Sequence, residues 1–264
     1  MKYGFIGCGN MGGAIATALR NTTPDLALTD RSGRGKALAD ALEVTYIPKN
    51  DDIIRSCDRV FLGVKPQMMA GVLHDLRAVL DSHKPLLITM AAGLSMAQIQ
   101  EMAGLELPII RIMPNTPSAV GKGVILYCAN DLVDPEILED FLRDMAPCGW
   151  LEPLEERLMD AGSALSGSSP AFVYVFMEAL ADGAVACGIP RAKALELAAM
   201  TVIGAGEMLL RSGKHPGELK DAVCSPAGST IEGIRTLERQ GMRSAVTEAL
   251  CATYARNGSL GSKS

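Results

Sequence analysis

The chain has 264 residues, a formal net charge of −5, 21% charged and 48% hydrophobic residues. That length admits one or two domains, and the composition excludes a disordered polar chain. An acidic balance without any Lys/Arg run, and only 4% aromatics, argue against nucleic acid and against anionic lipid as partners. Cysteines at 8, 57, 128, 148, 187, 224 and 251 form no CxxC pair, and three histidines make neither a zinc set nor a disulfide framework. The expectation is therefore reduced thiols, no metal and a cytoplasmic protein. After Lys2 the first apolar run is broken by Gly7, Gly9 and Asn10, unlike a signal peptide.

In chain order, Tyr3–Ile6, Leu26–Thr29, Arg59–Val64, Leu86–Thr89, Ile109–Met113 and Val124–Tyr127 read as strands. Asn10–Arg20, Gly35–Leu42, Gln67–Leu80 and Met96–Met102 read as helices between them, the last opened by Ser95 with Gln98 three residues on, a capping box. Apolar strands alternating with helices predict a doubly wound parallel sheet covered on both faces. Ten of the fourteen prolines precede residue 154, and twelve alanines crowd residues 161–205, so the texture changes to packed helices. The boundary is placed at Glu152–Leu154, giving a dinucleotide-binding domain 1–152 and an all-α domain 153–264. Pro170, Pro190, Pro216 and Pro226 are expected at helix starts. Ala171–Cys187 is apolar on nearly every side except at Glu178 and Asp182. It reads as too short and too charged to span a bilayer, and as a helix covered by a second subunit or else the central helix of one monomer.

Gly7-Cys8-Gly9-Asn10-Met11-Gly12 is GxGxxG between the first strand and the first helix. Gly7 permits the tight turn, Gly9 lets a pyrophosphate approach the backbone, and Gly12 lets helix pack on strand. Asp30, at the tip of the second strand, suits the ribose hydroxyls of NAD. Arg31 and Ser32, with Arg34, suit a 2′-phosphate. Charge favours NADPH, with NADH possible. Val64-Lys65-Pro66, Ala91-Ala92-Gly93 and Met113-Pro114-Asn115 close three strands at the same sheet edge, where small residues leave room for a nicotinamide ring. Lys65 reads equally as a loop lysine, and Asn115 as turn chemistry before Pro117.

Ser225-Pro226-Ala227-Gly228-Ser229-Thr230 opens an amphipathic helix. Free N–H groups at 228–230 and the helix dipole would hold a carboxylate without an arginine; the other reading is a simple helix cap. No Ser/His/Asp set is present, and Gly167-Ser168-Ser169 lacks the strand-turn-helix elbow of a hydrolase.

Across Phe5–Gly12, Val64–Pro66, Arg111–Pro117, Ala164–Ala171 and Asp221–Thr230 the chain resembles the pyrroline-5-carboxylate reductase family, nearly end to end. The resemblance implies an N-terminal Rossmann domain, an all-α dimerisation domain, homodimers with larger assemblies of dimers, and a preference for NADPH with some use of NADH. It implies hydride transfer to C5 of L-1-pyrroline-5-carboxylate, giving L-proline in the last step of proline synthesis. It also implies that Ser225, Gly228, Ser229 and Thr230 hold the substrate carboxylate, with Thr230 hydrogen bonding the ring nitrogen and relaying a proton. The family more often has Asn at the position of Asp30 and Gly at that of Ser169.

Overall fold

A computed structural model describes residues 2–261, with side chains described as far as 258. The chain forms two compact units, one of residues up to Pro170 together with those from Thr253 onward, the other Ala171–Ala252.

The first unit is built in the order β1 (Tyr3–Ile6), α1 (Asn10–Leu19), β2 (Leu26–Thr29), α2 (Arg34–Leu42), β3 (Thr45–Tyr46), α3 (Asn50–Ser56) and β4 (Arg59–Leu62). It continues with α4 (Pro66–His83), β5 (Leu86–Thr89), α5 (Met96–Ala103), β6 (Ile109–Met113), β7 (Gly123–Ala129), α6 (Pro135–Met145), β8 (Gly149–Pro153) and α7 (Met159–Ser163). The eight strands form one sheet, ordered β3-β2-β1-β4-β5-β6-β7-β8. Every pairing is parallel except β6 with β7. The order reverses between β1 and β4, and the crevice beyond the carboxyl ends of those strands is where this architecture takes ligands.

Period-two alternation distributes the core. Ile6, Val60, Leu62 and Leu87 face α3, α4 and α5; Phe5, Leu28, Phe61 and Ile88 face α1 and α6. Phe5 and Phe61, paired across β1 and β4, stack with centroids 4.4 Å apart. At the amino edge Arg59 is buried and satisfied: it donates to the Tyr3 hydroxyl at 2.8 Å, which donates to Asp144 Oδ2 at 2.6 Å. Lys2 adds an ion pair to the same carboxylate at 2.7 Å. Burial works against the Asp144 carboxylate, but the hydrogen bonds from Lys2 and Tyr3 and the charges of Lys2 and Arg59 outweigh it and hold the group below the usual carboxylate range.

The predicted strands and helices of this unit are present, and the Ser95 capping box is formed in both directions. Two strands and three helices, α3, α6 and the five-residue α7, are not signalled by the sequence. β3 has two residues, too few for a period, and β8 begins at Gly149 and ends at Pro153. α3 has seven residues, and α6 carries a narrow apolar face of which only Phe141 and Met145 are buried. The residue 152/153 boundary read from composition coincides with the end of β8, whereas the second compact unit begins at Ala171.

Pro170 does not begin a separate helix. From Met159 the chain runs helically through α7, a π-helical turn at Ala164–Ser168, and α8 (Ser169–Ala186). The wide turn ends two residues before Pro170, which has no N–H to donate, and the helix continues past it. That continuity also corrects the bilayer argument. Glu156–Ala186 is 31 residues long and, by length and composition, apolar enough to cross a membrane.

The second unit adds α9 (Arg191–Ser212), α10 (Pro216–Ala222), α11 (Ser229–Arg239) and the start of α12 (Met242–Gly261). Pro190 caps α9, Pro216 is the first residue of α10, and Pro226 lies in the turn before α11. Very little of this unit is buried. In α8 only Ala181 is, and in α9 only Ala194 and Ala198. Val175 is 67% exposed and Leu210 73%. An apolar groove of about 510 Å³ runs between α8 and the α11–α12 pair, lined by Phe172, Phe176, Leu180, Leu237 and Val246 among others.

Candidate active site

At the β1–α1 turn, Gly7 sits at φ +100°, and a Cβ there would meet the Gly63 carbonyl group at 2.8 Å. A Cβ on Gly12 would lie 2.6 Å from the Gly7 oxygen. Gly63, which the motif reading passed over, is locked against the same oxygen: a Cβ on it would collide there. Its signal in sequence is a glycine closing β4, the strand beside β1. Gly9 differs from all three. A Cβ at Gly9 meets nothing within 4 Å, and Gly9 is the N-cap of α1 with no side-chain cap. The first helical bond is from Gly13 N–H to the Gly9 carbonyl, 2.8 Å, so the amides of Asn10, Met11 and Gly12 are left for a ligand. An open cradle backed by unpaired amides fits a pyrophosphate. Cys8 turns its thiol away, towards the Thr29 carbonyl at 3.6 Å. Burial, helped by the nearby Asp30 charge, pushes that thiol up to about 12.

Asp30 accepts the Ser32 hydroxyl through Oδ2 at 2.7 Å, and its Oδ1 is enclosed without a well-aligned hydrogen bond. Burial opposes the charge, but the Ser32 hydroxyl and the amides of Gly35, Gly33 and Ser32 outweigh it and keep the carboxyl below its usual range. Asp30 is thus braced against its own turn. Arg31 and Arg34 are exposed and have no carboxylate partner among the described residues. Arg31 and Asp30 line a cleft of about 560 Å³.

Along the same carboxyl edge, Val64 is half-buried, Lys65 is the exposed N-cap of α4, and Pro66 is its first residue. Ala91, beyond β5, is buried, its N–H bonded to the Thr89 hydroxyl at 3.3 Å. Asn115 is buried and largely used by the fold. Its Oδ1 accepts Val124 N–H and its Nδ2 donates to the Ser166 carbonyl in the π turn, each at 2.9 Å. One Nδ2 hydrogen remains for a ligand. Arg111, in the middle of β6, ties this edge to the connecting helix through Glu156 at 3.4 Å and Asp160 at 2.7 Å.

The Ser225–Thr230 turn belongs to the second unit. Gly228 N–H bonds the Ser225 carbonyl at 3.0 Å, closing a turn with Pro226 second and Ala227 third at φ +55°. That left-handed third position is the type II arrangement, which favours Pro before it. The amide of Gly228 is therefore consumed, and the free donors are those of Ser229 and Thr230 rather than all three. Ser225 Oγ occupies the space a Cβ on Gly228 would need. α11 has no side-chain N-cap, and the Thr230 side chain is exposed, its hydroxyl without a hydrogen bond among the described residues. This arrangement offers backbone donors and hydroxyls to an anion.

Comparison with known proteins accounts for both units. Residues 156–260 match the family described as pyrroline-5-carboxylate reductase dimerisation. Residues 2–93 match the one described as NADP oxidoreductase, coenzyme F420-dependent. The pyrroline-5-carboxylate reductase of Escherichia coli K12 is 40% identical over 254 residues, 94% of each chain. This chain belongs to the pyrroline-5-carboxylate reductase family. The reductase of Glycine max is 42% identical over 259 residues, covering 96% of this chain and 94% of its own. The solved Plasmodium falciparum pyrroline carboxylate reductase, with NADP bound, superposes with a TM-score of 0.90 at 32% identity, covering 99% of this chain and 98% of its own. The dimerisation match takes in the whole apolar run 156–186, so that exposed surface belongs to a self-associating reductase domain.

Proposed function

We infer that this chain is a pyrroline-5-carboxylate reductase, an NAD(P)H-dependent oxidoreductase that turns L-1-pyrroline-5-carboxylate into L-proline. The observation that carries the reading is likeness along the whole chain, reaching both the dinucleotide turn and the Ser225–Thr230 turn. NADPH, when bound, would supply the hydride for C5 of the ring, and the ring nitrogen would gain a proton. The amides of Asn10, Met11 and Gly12, around Gly7, Cys8 and Gly9, hold the pyrophosphate. Val64, Lys65, Pro66, Ala91 and Asn115 frame the nicotinamide end. Asp30, Arg31 and Ser32 meet the adenosine ribose, with the unpaired Arg31 favouring NADPH.

The amides of Ser229 and Thr230 and the hydroxyls of Ser225, Ser229 and Thr230 hold the substrate carboxylate at the turn Gly228 shapes, and Thr230 hydrogen bonds the ring nitrogen. Protonated at nitrogen, the imine is already electrophilic, so orientation is the main demand on the protein. A hydroxyl is a weak acid, so Thr230 serves as a relay to water rather than as the proton source. The active unit is a homodimer, with larger assemblies built from it. A cytoplasmic location is part of this reading, supported by the odd, scattered set of cysteines.

The test is NADPH oxidation with pyrroline-5-carboxylate, run beside 3-hydroxyisobutyrate with NADP. Turnover of the first substrate alone is the expected result. Turnover of the second alone would reassign the chain to a hydroxyacid dehydrogenase.

A further inference from the structure

We propose that Lys49 is a second cofactor-selecting cation, facing Arg31 across the cleft and reading the 2′-phosphate of NADPH with it. The proposal rests on the NADPH reading above and adds a residue to it.

Ser32, adjacent to Arg31, is a poor phosphate donor in this fold, because its one hydroxyl hydrogen goes to Asp30 Oδ2 at 2.7 Å. An oxygen left as an acceptor adds nothing to phosphate binding. Recognition of a dianion then needs another cation beside Arg31. Strand order supplies one. β3 is the neighbour of β2, in register from Ala27↔Thr45. The chain leaving β3 therefore reaches the carboxyl edge beside the chain leaving β2. Ile47 N–H still bonds the Leu28 carbonyl at 3.0 Å, and Lys49 comes two residues later, at the N-cap of α3. Lys49 and Arg31 line the same cleft of about 560 Å³, and Arg34 does not. Lys49 is exposed and, among the described residues, has no carboxylate within 4 Å.

The other charged groups of the cleft sharpen the assignment. Asp51 lies 4.0 Å from Arg55 on the same helix, and Asp52 and Asp75 contribute further carboxylates from α3 and α4. With Asp30, four carboxylates face three cations there. A phosphate is accordingly repelled from most of the cleft and is welcome only on the Arg31 and Lys49 side, beside the tip of β2. An unphosphorylated ribose does not meet that repulsion, which keeps NADH usable.

Calorimetry on the full chain tests this with adenosine 2′,5′-bisphosphate and adenosine 5′-monophosphate as probes. In Lys49→Gln, the preference for the bisphosphate over the monophosphate should fall about tenfold, the lower end for a charge-assisted contact at an exposed site. The NADPH/NADH ratio of kcat/KM should fall by a similar factor, through KM. Lys49→Arg should keep most of both preferences. An unchanged preference in Lys49→Gln, or an equal loss for both probes, overturns the proposal. The binding arm needs no turnover. A chain that shows the expected probe preference but does not reduce pyrroline-5-carboxylate would keep the role of Lys49 and sink the catalytic reading instead.

Discussion

Tyr3, Phe5 and Phe61 are fully buried in the sheet unit, whereas along α8 only Ala181 is buried and Val175 stands 67% exposed. Both segments are strongly apolar, but the sheet covers its apolar residues with its own helices on two faces. The helical unit leaves Tyr174, Val175, Leu197, Met200 and Leu210 uncovered. Exposed apolar area on that scale is the mark of an interface rather than of a finished domain. The lesson is that the sheet unit covers its apolar residues itself, whereas the helical unit, which carries the dimerisation match, leaves its own for self-association.

The largest effect should come from attacking that asymmetry. Val175→Arg places a charge on the exposed apolar face of α8. The expected outcome is loss of the dimer in sedimentation and loss of reductase activity, with NADPH binding retained. A fully active monomer would erase the distinction between the units.

Within the sheet unit, two glycines of one motif should part company. Gly7→Ala forces a Cβ onto the Gly63 carbonyl at positive φ, at a cost of about 2–4 kcal/mol in urea unfolding. A Cβ at position 9 meets open space, so Gly9→Val should leave the urea midpoint nearly unchanged, while NADPH binding, followed by fluorescence, is lost. Normal NADPH affinity in Gly9→Val would remove the pyrophosphate from this turn.

Thr230→Ala probes the helical unit in the same way. It should leave NADPH affinity intact and lower kcat/KM for pyrroline-5-carboxylate roughly 10- to 100-fold, from the loss of about 1.5–3 kcal/mol to a charged group. Thr230→Ser should recover most of that loss. Wild-type kinetics in Thr230→Ala would leave only backbone amides and water at this turn.

The smallest effect belongs to the amino edge of the sheet. Asp144→Asn should cost about 2 kcal/mol at pH 7, since Arg59, Tyr3 and Lys2 lose their shared carboxylate. Because folding lowers the Asp144 pKa, its contribution is complete above the unfolded value, near 4, and is lost as pH falls through the folded one. The gap between wild type and Asp144→Asn in urea midpoint should therefore narrow from pH 5 downwards. A gap independent of pH would show that packing, not charge, is what Asp144 supplies.

Much of the cofactor half was legible because its signals are local. GxGxxG, the apolar strand runs and the Ser95/Gln98 box each lie within a few residues, and strand alternation already dictates which side chains face inward. Short or shielded elements were not legible. β3 forms because β2 offers it an edge, and the antiparallel entry of β7 beside β6 follows from chain reversal after a 3-10 turn at Thr116–Val120. The roles of single residues at the site were also decided in three dimensions. The sequence by itself determined a Rossmann-type sheet with a GxGxxG turn, followed by helices with a hydroxyl-rich turn at Ser225–Thr230. Only the tertiary structure decided that Asn115 is mostly spent on Val124 and Ser166, that Gly228 N–H closes its own turn, and that Ser32 is tied to Asp30. The physical reason is that a hydrogen-bonding group can be spent once. Composition names the donors, and only the fold says which of them remain free for a ligand.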